Sequence, residues 1–528
     1  MFTRRDSITI YGTLLLALGG GLVLTVFWGD PRTVSLASTT LRLASAVGLR
    51  ALPWGTLLAV LLWRTDLPGR GFLLAALAWL MFVPLYVQAT AWRAGFGLFG
   101  LFASPDSFGS LWLEGFSGAV WIHTIHSLPW VVMIAGAGLS LVEAELEDEG
   151  LIEARAMGVL WHITLRRAAA SIVAAGLWVV VVTSAEMTIT DLFRVRTYAE
   201  ELYTQLNVGL EPGATALRGL PAVVMALWLV LAAVVLCAQL APAARSGGLE
   251  RRRSFSLGPW RWPALGFVWL SVGVTILVPL ISLGYQAGVA VESTPSGFQR
   301  HWSAWKLVWL TAQTPGRIWP ELYHTLQSTT LAALLTVAVA IPLAWIARRG
   351  RWPAYGSLFV VAVTLAVPGP IIGFFLIWLM NRPMLGWFYD RTMLPLCLAM
   401  FLRALPLATM ICWYALRSVP GESIESARVD GAGSSRVLWQ IAVPQRWAAI
   451  GIAWIVAVAI SLGDLTATSL VQQTGRMTLA FHIFNQLHSG GQDLVAADCL
   501  TALGILTLLA IGLWWLIAHW RRANANPA

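Results

Sequence analysis

Long apolar stretches, most of twenty residues or more, recur along the 528-residue chain and alternate with short polar segments. They fall near 8–28, 36–62, 71–91, 116–141, 168–188, 219–240, 263–285, 322–346, 354–380, 392–416, 447–467 and 496–518. A helix of that length crosses a hydrocarbon core about 30 Å thick. The ten-residue alternating segments of an outer-membrane barrel do not occur. The pattern predicts an all-α polytopic membrane protein of about 12 transmembrane helices. Arg42 and Arg50 interrupt the second stretch and must snorkel, pair or face the protein interior. The first follows Arg4 and Arg5 as in a signal peptide. It lacks an A-x-A site and runs straight into Asp30-Pro31, so it is expected to be an uncleaved span.

The polar positions repeat. Sliding the chain against itself by 278 residues aligns 147–207 with 425–485 without a gap, and fourteen of the sixty-one positions are identical. They include Glu147/Glu425, Ala154/Ala432, Leu160/Leu438, Trp161/Trp439, Ile163/Ile441, Thr188/Thr466, Thr190/Thr468 and Asn207/Asn485. Apolar spans align by accident, but polar loops do not share that bias. The repeat predicts two six-span halves, 1–245 and 263–528, joined by a Gly/Ser-rich basic linker at 246–262. Each half places its polar stretch (142–167 and 418–446) between its fourth and fifth spans, so the halves are parallel rather than inverted.

The second polar stretch reads as helix, hinge and short helix. Ser418 is a candidate N-cap with Pro420 in the first turn. Ile424, Ala427 and Arg428 share one face, and Gly431 suits the left-handed residue that ends a helix. Ser434 or Ser435 recaps, and Val437, Leu438 and Ile441 form an apolar stripe up to Pro444. An amphipathic loop of this kind could lie on the bilayer. Its recurrence at the equivalent place in both halves favours recognition by a partner groove instead.

"ESARVDGAG" followed by "IAVP" (425–433 and 441–444) resembles the EAA loop of ABC-transporter permease subunits. That pattern is Glu-Ala-Ala, a Gly six residues after the Glu and a Pro thirteen further on; Glu425, Ala427, Gly431 and Pro444 match it, while Ser426 replaces one alanine. The double-length arrangement looks like the fused permeases of ferric-iron and thiamine importers. The resemblance implies that Glu147, Ala154, Leu160, Trp161, Ile163, Glu425, Ala427, Gly431, Leu438, Trp439 and Pro444 belong to ATPase-coupling loops. It also implies two copies of an ABC ATP-binding subunit and an extracytoplasmic solute-binding protein as partners. Ferric iron is the implied solute, with thiamine, phosphonate, polyamine and sulfate as alternatives. The first loop departs from the pattern: Glu153 stands at the glycine position and Arg166 at the proline, leaving Gly150 and Gly158 as candidate hinges. A frame pairing Glu153-Ala154 with Gly158 shortens the second helix and abandons the downstream matches.

After each loop comes a span ending in polar residues, with Glu186, Thr188 and Thr190 in the first half and Asp464, Thr466 and Thr468 in the second. Acids at such positions either line a translocation path or sit solvated at the outer interface.

Composition narrows the remaining chemistry. The chain is 58% hydrophobic and 12% charged with mean hydropathy +0.71, against roughly 25% charge in soluble domains. The net charge of +9 does not indicate nucleic acid, because the arginines lie in short loops. Arg4/Arg5, Arg64/Arg70, Arg245/Arg251/Arg252/Arg253, Arg348/Arg349/Arg351 and Arg521/Arg522 fall on one side of the twelve-span pattern. That side is expected to be cytoplasmic, with both termini there, in an inner membrane. Arg194, Arg196 and Arg300 fall opposite. Lys306 is the only lysine, so no P-loop exists in this chain, and ATP is expected on partner subunits rather than as a cofactor here. Cys237, Cys397, Cys412 and Cys499 have no metal-ligand or disulfide spacing. His123 and His126 are expected to pack rather than to ligate haem or metal, and Trp302, Trp305 and Trp309 read as a helical interfacial stripe. A 6+6 ion-coupled secondary transporter is the main competing reading, and a membrane redox protein using the histidines a third.

Overall fold

The computed structural model describes residues 31–97, 100–102, 112–208, 219–221, 223–231, 254–294, 297–473 and 475–525. The span expected at 8–28, part of the one at 219–240 and residues 246–253 of the linker lie outside them.

The first repeat comprises α1 (Pro31–Arg64), α2 (Arg70–Leu80), α3 (Leu85–Phe96), α4 (Gly115–Leu139), α5 (Ala144–Glu153), α6 (Ala156–Arg167), α7 (Ala169–Ser184), α8 (Thr188–Leu192), α9 (Tyr198–Asn207) and α10 (Gly219–Leu231). The second begins with α11 (Arg261–Gly288) and a two-stranded antiparallel hairpin, β1 (Val289–Thr294) and β2 (Gly297–Trp302). There follow α12 (Ala304–Arg317), α13 (Trp319–Ala347), α14 (Arg351–Ala366), α15 (Gly369–Met380), α16 (Gly386–Arg391), α17 (Leu394–Arg417), α18 (Gly421–Val429), α19 (Ser434–Gln445), α20 (Trp447–Gly463), α21 (Leu479–Ser489) and α22 (Gln492–Ala525). The fold is all-α apart from that hairpin, which hydropathy does not reveal because its six-residue strands are mostly polar.

Among the described residues five helices, α1, α4, α11, α13 and α17, are individually long and apolar enough to cross a membrane. Four more spans are bent pairs. The expected continuous spans at 71–91 and 354–380 are each broken: α2 and α3 meet at 101°, as do α14 and α15. Proline causes both bends. Pro84 and Pro368 stand just before α3 and α15, and Val367 is extended, as expected for a residue whose α conformation clashes with a following proline ring. The other bends, 63° at α6–α7 and 83° at α19–α20, join each polar loop to the helix behind it.

Within each repeat three helices form the core: α1, α4 and α7 in the first, α13, α17 and α20 in the second. The repeats interlock, because α11 packs on α3 of the first repeat and on α22 of the second. Arg42 and Arg50 sit on the exposed face of α1, and Arg50 folds back to donate to Ala46 O at 3.0 Å. Amphipathic α12 is pinned to α22 by Lys306–Asp493 at 2.7 Å and by Arg317–Asp498. Trp305 and Trp309 are exposed on α12, but Trp302 belongs to β2, so the three do not form one helical stripe.

Candidate functional site

Both polar loops lie where a core helix hands over to the next, and the second is the more regular. Helix α18 buries Ile424 and Ala427 against Val437, Leu438 and Ala442 of α19. It ends at Gly431, whose φ of +79° is cheap only for glycine. The N–H of Ala432 then donates to Ala427 O at 2.9 Å and that of Gly431 to Arg428 O at 3.0 Å, which satisfies terminal carbonyls as a left-handed cap should. Two capping expectations fail. Ser418 closes α17 rather than opening α18, which Pro420 precedes. Gly433, not a serine, precedes α19, and the Ser434 hydroxyl accepts from Trp345 Nε1 at 3.0 Å and Arg349 Nη2 at 2.7 Å.

In the first loop α5 runs to Glu153, and an extended Ala154 makes the turn. The break therefore needs no left-handed residue, and neither Gly150 nor Gly158 is the hinge: each lies inside a helix. Gly150 has a packing role, since a Cβ there would meet Ile163 Cδ1 at 2.4 Å. From Ala156 onward the two copies coincide under the 278-residue shift. Both contain one turn of π-helix, Leu160–Thr164 and Leu438–Ala442.

The glutamates at equivalent positions have opposite fates. Glu425 is exposed. Glu147 is fully buried, ion-paired with the equally buried Arg64 and accepting from Thr164 Oγ1 at 2.6 Å. Arg64 also donates to Leu139 O at 3.3 Å, so one guanidinium ties the ends of α1 and α4 to α5. The described end of the linker joins them. Phe255 N donates to Arg64 O at 2.7 Å, and Leu257 N to Asp66 Oδ1 at 3.0 Å.

Arg348 plays the matching part in the second repeat, donating to Leu416 O at 2.9 Å and Val419 O at 3.0 Å. Sequence reasoning missed both arginines because a single frame of 278 sets Arg64 against Pro342. A frame of 284 pairs Arg64 with Arg348 and Pro84 with Pro368; the first repeat has the longer α3–α4 connection, and the frame changes there.

The acids beyond the loops are buried, not solvated. Glu186 accepts from the backbone N–H of Thr188 at 2.6 Å and of Ile189 at 3.0 Å, and lies 3.7 Å from His123 Nε2. Asp464 accepts from Thr466 Oγ1 at 2.8 Å and lies 3.5 Å from Arg403 Nε. Arg403 is also an electrostatic neighbour of Glu186 in the other repeat. Thr190 and Thr468 turn their hydroxyls onto Met187 O and Asp464 O. Both carboxylates are thus largely engaged by the protein's own donors. Asp464 Oδ2, Arg403 Nε, Thr409 Oγ1 and Ser461 Oγ nevertheless lack hydrogen-bond partners, a cost that a packed core avoids.

Exposed apolar side chains crown the loops: Ile152, Met157 and Trp161 on the first, Val429 and Trp439 on the second. Residues 317–519, which contain the second loop, match the family described as "Binding-protein-dependent transport system inner membrane component". The chain resembles ABC-transporter permease subunits in those residues. This chain is 27% identical over 271 residues to the putrescine transport system permease protein PotI of Escherichia coli (strain K12), covering 49% of this chain and 92% of that protein. It is 25% identical over 213 residues to the molybdenum transport system permease protein ModB of the same strain, covering 38% and 93%. Similarity to the Fe(3+)-transport system permease protein FbpB 2 of Haemophilus influenzae is 22% over 476 residues, covering 88% and 86%. The chain is a multi-pass membrane protein by its apolar helices, and its relatives differ in the solute their names record.

Proposed function

We propose that this chain forms the whole membrane pathway of an ABC importer, two parallel halves driven by ATP hydrolysis on separate subunits. The loops at α5–α6 and α18–α19 face the cytoplasm, both termini lie on that side, and each loop docks an ATP-binding subunit. A solute-binding protein delivers cargo from outside. The observation that carries the reading is the repeated loop, whose tip exposes Trp161 in one half and Trp439 in the other. Exposed aromatic residues over a rigid, internally bonded base suit a partner cleft. Closing of the ATPase pair would then tilt the core helices as bodies.

Ferric iron is the proposed solute, supported by FbpB 2, a relative whose alignment covers 88% of this chain. Putrescine is the second reading, supported by PotI, which matches 49% of this chain. Engagement of Glu186 and Asp464 by internal donors argues against either acid holding a bare cation unaided.

Docking is tested by extracting the chain with its ATP-binding subunit and measuring what co-purifies. Trp161→Asp and Trp439→Asp together should strip most of the ATPase from a still-inserted chain. Full retention by the double variant contradicts the docking role.

A further inference from the structure

A cavity of about 330 Å³ lies between the repeats at the end of the bundle opposite the loops, the outer end in the proposed orientation. The first repeat lines it with Arg93, Glu114 and Arg194, the second with Gln286, Gln486 and Gln492.

Three observations set this cavity apart from a packing defect. Arg93 and Arg194 are electrostatic neighbours of like sign, with Glu114 the opposite charge beside Arg93. Among the described residues neither guanidinium forms a hydrogen bond or close ion pair. Like charges facing a shared space repel, and an anion between them removes the penalty.

Arg194 is also the only described non-glycine residue with positive φ, at 56°. Bonds from Arg194 N to Asp191 O and from Val195 N to Thr190 O hold it there. Such a backbone persists where a side chain must be aimed.

The glutamines supply the third observation. Gln286 is more than nine-tenths buried. Its Nε2 donates to Gln492 Oε1 at 3.1 Å, while its Oε1 has no donor. Gln486 pairs its Nε2 with His482 at 2.8 Å, and its Oε1 likewise has none. Two guanidiniums without hydrogen bonds among the described residues and two unanswered acceptors line one space.

We propose that this cavity binds a small carboxylate that also carries a hydroxyl or amine. The guanidiniums take the carboxylate in charge-assisted bonds, and the glutamine carbonyls take the donor. The site is independent of the solute proposed above and of ATPase docking.

Calorimetric titration of the purified, detergent-solubilised full chain with L-malate tests it. Saturable binding is expected, weakened roughly tenfold or more by Arg194→Gln or Arg93→Gln. Arg196→Gln, on the same surface segment but outside the cavity lining, should leave affinity unchanged. Succinate, which lacks only the hydroxyl, should bind several-fold more weakly. If Arg93→Gln does not fold, the exposed Arg194 still decides the matter. Absence of saturable malate binding, wild-type affinity in Arg194→Gln, or tighter binding of putrescine than of malate overturns the proposal.

Discussion

Glu147 and Glu425 occupy equivalent positions in a repeated loop, yet one is sealed against Arg64 and the other lies open. Removing one member of a buried ion pair strands the other, a loss of about 3–5 kcal/mol. Arg64→Met should therefore lower the thermal midpoint of the purified protein sharply, and Glu147→Leu added to it should restore much of the loss. Glu425→Ala should shift stability by no more than about 0.5 kcal/mol, as exposed substitutions do. A thermal series on these three variants and the unaltered chain checks the contrast. Gly431→Pro is a different test, because proline fixes φ near −65° whereas this residue sits at +79°. Uptake should vanish while membrane insertion persists; wild-type uptake would remove the loop from the transport cycle. His488 gives a pH signature at the other end. Its Nε2 lies 3.3 Å from Asp191 Oδ2 across the repeats. The hydrogen bond to Asp191 raises its pKa against partial burial and the facing charge of Arg93. A raised imidazole pKa adds stability that is full below the usual value near 6.5 and is lost as pH climbs through the raised one. Melting between about pH 6 and about pH 9 should show a decline that Asp191→Asn flattens.

At the level of elements, the loops behave as braced units rather than flexible connections. Helix α5 approaches α6 closely enough that Gly150→Ala would force Ile163 aside, a clash costing about 1–3 kcal/mol. Ile163→Val should recover part of it, measurable as the thermal midpoint of the single and double variants. The existence of most spans was legible from apolar length alone. Their continuity was not, because Pro84 and Pro368 sit inside runs that remain hydrophobic on both sides, and hydropathy carries no angle. Capping was half legible. Gly431 followed from its conformational freedom, but Ser418 and Ser434 had rival demands: one closes the preceding helix, and the other accepts from Trp345 and Arg349. Arg64 escaped because its partner lies 83 residues away and its counterpart obeys a different repeat offset. Nothing in a one-dimensional pattern announces such a pairing.

For the whole molecule, interlocking decides how force could travel. Helix α11 of the second repeat packs on α3 of the first, and Arg403 lies within electrostatic reach of acids from both repeats. Tilting one repeat would therefore disturb the other through that packing. The most direct test is transport by the full chain in proteoliposomes, with and without its ATP-binding subunit and solute-binding protein. The account predicts uphill solute uptake only when all three are present and ATP is hydrolysed. Concentrative uptake by the chain alone, driven by a proton or sodium gradient without nucleotide, would contradict it.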